Sequence, residues 1–136
     1  MTMENRNDEL PQVLKDWKRA VAKLSIDDVM ENYHDKAVFK GTLVNDLVKG
    51  ADNIRPYFSD TFLKGKNNLA CVFNELHLVY KKEGNSQQYV GKYTFTYQDD
   101  AGKQGSLHAH FAFYTKFDKE KGREVIKFHG SYPMPS

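Results

Sequence analysis

Leu107-His-Ala-His-Phe-Ala-Phe-Tyr114, followed by a charged turn and then Val125-Ile-Lys-Phe-His-Gly-Ser-Tyr-Pro-Met-Pro135, is the stretch whose reading decides the fold. Alternate side chains of a strand point to opposite faces. His108, His110, Ala112 and Tyr114 therefore share one face, and Leu107, Ala109, Phe111 and Phe113 share the apolar other. Closing the turn over Asp118 to Arg123 pairs this strand with the next and sets His129 opposite Ala112. In that register His108, His110 and His129 line one wall, and a slip of one residue would part them.

Upstream, the same strand pattern recurs. Leu69 to Lys81, Tyr89 to Gln98, Gly105 to Phe117 and Arg123 to Tyr132 are β-prone runs, separated by Glu83-Gly-Asn-Ser86, Asp99-Asp-Ala-Gly-Lys103 and Asp118-Lys-Glu-Lys-Gly122. Strands joined by short turns form an antiparallel meander. The first half reads differently. Leu14, Trp17, Val21 and Leu24 fall at helical spacing between about Pro11 and Lys23, with Pro11 suited to a first helical turn. Ser25-Ile-Asp-Asp28 reads as the cap of a short second helix ending near Tyr33. Ala37 to Val44 is a strand interrupted by Gly41, and a third helix capped by Asp52 carries Ile54, Tyr57, Phe58 and Phe62 inward and stops by Gly65. Helices ahead of a meander give an α+β fold with the helices on one sheet face.

The chain has 136 residues, which fits a single domain over residues 11–136 behind a polar tail of residues 1–10. A formal net charge of +2 with scattered basic residues gives no electrostatic case for nucleic acid or an anionic membrane as partner. The one cysteine, Cys71, sits in an apolar run and reads as a buried thiol. The start of the chain is too polar for a signal peptide, and no apolar run approaches the ~18 residues of a membrane span. A cytoplasmic location is expected.

Local sequence adds a family resemblance. Tyr33-His-Asp-Lys-Ala37, Leu47-Val-Lys-Gly-Ala-Asp-Asn-Ile-Arg-Pro-Tyr-Phe58 and His129-Gly-Ser-Tyr-Pro-Met-Pro135 resemble the association domain of calcium/calmodulin-dependent protein kinase II. Ala109-His-Phe-Ala-Phe113 and the closing segment look closer still to its bacterial stand-alone relatives, over about residues 12 to 135. The element order is similar to that of the wider nuclear transport factor 2-like superfamily, which includes ketosteroid isomerase and SnoaL-like cyclases. The resemblance implies a cone, a curved antiparallel sheet wrapped around the N-terminal helices with an internal pocket, and self-association, as a homodimer through the outer sheet face or as a larger ring of the kind found in the kinase domain. It also implies a pocket in which arginines and a histidine hold a carboxylate. Here His129 matches the histidine, whereas His110, Gly130 and Ile54 stand where the kinase domain has two arginines and a further histidine. Without the guanidinium forks, recognition of an acidic ligand loses its main device.

Three chemistries compete for these residues. A pocket module would bind an unidentified small molecule through Tyr33, Tyr57, Tyr93, His108 and Phe111. An acid-base enzyme of the isomerase or cyclase kind would use His110 and His129 as catalytic groups, because imidazole changes charge near neutral pH. Its carboxylate partner is open among Asp35, Asp46 and Asp60. A three-histidine zinc or iron site has the right residue types, but the plainer expectation is imidazoles hydrogen-bonded within a pocket, with no metal and no cofactor.

Overall fold

The computed structural model describes residues 10–82 and 85–135. Residues 1–9, most of the expected tail, and Glu83-Gly84 of the first hairpin turn lie outside the described residues. Leu10, assigned to the tail from sequence, is buried in the core.

The chain runs α1 (Gln12–Ala22), α2 (Ile26–Met30), β1 (Tyr33–Lys40), β2 (Val48–Lys49) and α3 (Ala51–Pro56). A π-helical segment (Tyr57–Phe62) then leads into β3 (Asn67–Lys82), β4 (Ser86–Gln98), β5 (Gln104–Asp118) and β6 (Arg123–Pro133). Pro11 caps α1, whose apolar stripe buries Leu14, Trp17 and Val21. Ser25 caps α2 with its Oγ accepting from the Asp28 N–H at 3.3 Å. Two local expectations are corrected. Tyr33 opens β1 instead of closing α2. Gly50, not Asp52, caps α3, and its φ of 92° is a conformation glycine adopts without the cost of a Cβ. Ile54, Tyr57, Phe58 and Phe62 all point inward, as their spacing requires.

The six strands form one open sheet in the order β2-β1-β6-β5-β4-β3. The long meander β3 to β6 is antiparallel throughout, and β1 joins β6 in parallel. Irregularities in β3 between Phe73 and Glu75 and between Leu78 and Tyr80 bend the sheet around the helices. At Gly91, opposite the first of these, a Cβ would lie 2.1 Å from the Glu75 carbonyl oxygen, so only glycine lets the two strands approach so closely. The centre of the concave face is largely aromatic. Trp17 of α1 meets Phe73, Phe95 and Phe113 edge-on and stacks on Tyr93. The outer face has no element of the described chain across it.

Candidate functional site

His129 sits at the centre of the concave face, 2% exposed. It lies opposite Phe113, not Ala112. That one-residue difference decides the site. With side-chain period two, His129 joins Phe111 and Phe113 inside, while His108 and His110 are exposed on the outer face. The expected wall of three imidazoles is therefore corrected: His129 is separated from the other two by the sheet. Among the described residues no three His, Cys, Asp or Glu side chains gather where they could hold a metal ion.

What surrounds His129 is a directional chain of hydrogen bonds. Trp17 Nε1–H donates to Tyr33 Oη at 3.1 Å. Tyr33 Oη lies 2.7 Å from His129 Nδ1, and His129 Nε2 lies 2.9 Å from Tyr93 Oη. Tyr93 O–H donates to Ser131 Oγ at 2.6 Å, which lies 2.5 Å from Thr42 Oγ1. Proton inventory orients the chain. The Tyr93 proton goes to Ser131, so His129 Nε2 supplies the proton between imidazole and Tyr93. Nδ1 is then the acceptor for the Tyr33 hydroxyl. His129 is thus the neutral Nε2–H tautomer with both nitrogens occupied.

Burial agrees with that assignment. The Phe113 ring stacks on the imidazole at 4.0 Å between centroids, and Trp17 and Phe39 close it in edge-on. Burial pushes the His129 pKa down to about 3. It pushes the Tyr33 and Tyr93 hydroxyls well above the usual phenol range and Tyr57 up to about 12, so all three tyrosines are neutral donors.

The cavity beside this chain is small, about 10 Å³, and is lined by Trp17, Phe39, Thr42, Tyr57, Phe58, Phe62, Tyr93, Phe95, His129 and Ser131. That is room for about one water molecule. Of the residues singled out in the sequence, Tyr33, Tyr93 and His129 meet directly, and Tyr57 lines the cavity with its hydroxyl accepting from the Leu43 N–H at 3.2 Å. Phe111 is buried one layer away, against Tyr93 and Phe73. Asp35, Asp46 and Asp60 are exposed and none lines the cavity. Sequence reasoning missed Trp17, Thr42 and Ser131 as polar partners. Ser131 was within reach, since it shares a strand face with His129 two residues earlier.

The outer face carries its own network. Glu75 lies 3.3 Å from both Lys92 and His77, and His77 first, then Lys92, holds its carboxyl below the usual range. Thr94 O–H donates to Asn74 at 2.7 Å, so His108 Nδ1, 3.0 Å from Thr94 Oγ1, is the donor in that pair. Lys40 Nζ donates to the carbonyls of Ser131 and Gly41 and sits 4.8 Å from the Tyr132 ring centroid. His110 and Gly130, which the sequence resemblance set at pocket positions, both belong to this outer face instead of the interior. A Cβ at Gly130 would meet Tyr132 Oη at 2.9 Å and Phe128 at 3.1 Å, so a longer side chain there must displace those rings.

A curved open sheet cupping N-terminal helices is the fold of nuclear transport factor 2-like proteins. Within it, the chain belongs to the calcium/calmodulin dependent protein kinase II association domain family, whose model matches residues 6–135. Among solved structures, it is similar to a Xanthomonas campestris protein assigned to that association domain, at 26% identity over 91% of this chain and 84% of that one, with a TM-score of 0.80. The fold is shared with a Salmonella enterica nuclear transport factor 2-like protein (TM-score 0.78, 10% identity, 96% and 92% of the two chains). It is shared too with the association domain of the C. elegans kinase (TM-score 0.69, 11% identity, 88% and 89%). No curated protein sequence matches the chain.

Proposed function

We propose that this chain is a non-catalytic self-association module, forming a homodimer or larger ring across the outer face of its sheet. The observation that carries the reading is that face itself. Val90, Ala112, Tyr114, Phe128 and Tyr132 are brought together there by strand pairing, and Val90 and Tyr132 are 38% and 45% exposed. An apolar, aromatic patch within a polar rim is the composition of an interface core. Membership of a family described as an association domain supports the same reading. Ala112 lies between Val90 and Gly130, near the middle of the patch. Sedimentation equilibrium at micromolar concentration is expected to give a dimer or larger species. Ala112→Arg is expected to give a monomer with unchanged near-UV circular dichroism. A monomeric wild type would overturn the proposal.

The interior belongs to the same reading as a site for a small, neutral, hydrogen-bonding molecule. Its polar groups are uncharged, and its free volume suits one water-sized guest unless the aromatic wall moves. Acid-base catalysis has less support. Both nitrogens of His129 are engaged, its proton affinity is depressed by burial, and no carboxylate lines the cavity. The dehydratase, isomerase and hydroxylase names of some structural neighbours go with sequence identities of 7 to 16%, which speak for the fold alone.

A further inference from the structure

We propose that assembly across the outer face is gated by protonation of His108 and His110, so that the assembly forms when these imidazoles are neutral and dissociates on acidification. This rests on the self-association proposed above and concerns what controls it.

The two histidines stand on β5 near the middle of the uncovered face. Strand pairing fixes what faces them. His110 has Lys92 of β4 on one side and Tyr132 of β6 on the other. Beyond Lys92 lies Glu75 of β3, and the Tyr132 ring lies against the Lys40 ammonium of β1. His108 has Thr94 across from it on β4. Glu75 is the carboxylate of this neighbourhood, and it is already committed to His77 and Lys92. A protonated His108 or His110 therefore finds no uncommitted carboxylate among the described residues that strand pairing sets beside it.

In a dimer related by a two-fold axis through this face, each protomer presents the same surface to its partner. Added charge on one face then meets added charge on the other. Covering the face also removes water from the imidazoles, which further disfavours their charged form. Histidine is the side chain whose charge ordinarily changes between pH 5 and 8. The consequence is a self-association that weakens across that interval without any change in the fold of the protomer.

The test is sedimentation equilibrium of the full chain at about pH 8 and about pH 5.5, with near-UV circular dichroism on the same samples, for the wild type and for His108→Gln/His110→Gln. The wild type is expected to associate roughly tenfold or more weakly at the lower pH with its tertiary spectrum intact, and the double variant to associate equally at both. Equal association of the wild type at both values overturns the gating and leaves the self-association standing. A monomer at both values overturns the self-association and the gating with it. Acid dissociation that persists unchanged in the double variant, whether or not the tertiary spectrum is lost, assigns the effect elsewhere and overturns the gating.

Discussion

His129 shows how one side chain can be positioned by everything around it. Two tyrosines occupy its nitrogens and a phenylalanine covers its ring, so the folded chain holds it neutral with a pKa of about 3. In the unfolded chain it takes a proton near its ordinary value of 6.5. Between those values the unfolded state binds more protons, so stability falls as pH drops from about 6.5 toward about 3. The loss is about 1.4 kcal/mol per pH unit at full effect. Urea midpoints measured down this range are expected to fall more steeply for the wild type than for His129→Gln, and parallel slopes would contradict the assignment. Tyr93→Phe removes the hydroxyl that joins His129 to Ser131 and leaves polar groups of both residues underpaired. A loss of about 1–3 kcal/mol in chemical denaturation is expected, with an effect near zero as the contrary result.

At the scale of elements, the bend between β3 and β4 makes the cone possible. It depends on the extra residue near Asn74 and on Gly91, where a Cβ would run into the Glu75 backbone. Because the obstacle is main chain, relief requires moving a strand instead of turning a side chain. Gly91→Ala is therefore expected to lose about 2 kcal/mol or more by thermal or urea unfolding. Gly122→Ala, in a turn with open space but a φ of 69°, should lose only about 1 kcal/mol. Equal losses at the two sites would show that local conformation, not strand approach, sets the cost. Element existence was legible because periodicity of two or about four needs only neighbouring residues. The helix caps and the opening of β1 were less so. Tyr33 starts a strand because β1 pairs with β6, a partner far along the chain.

The whole molecule presents one saturated face and one open one. Inside, the aromatic side chains and their hydroxyls satisfy one another and leave space for about one water. Outside, the centre of β4 to β6 is uncovered, and the proposed assembly and its control by His108 and His110 both belong there. By itself the sequence was enough for the order of helices and strands, the meander and the family. These follow from local pattern and from motifs that survive in one chain. Only the tertiary structure decided which face His108 and His110 take relative to His129. Strand register is set by the packing of the entire sheet, and a single step in it exchanges inside for outside. The tertiary structure likewise recruited Trp17, Thr42 and Ser131 into the interior chain, because hydrogen bonds between residues up to 96 positions apart leave no local trace.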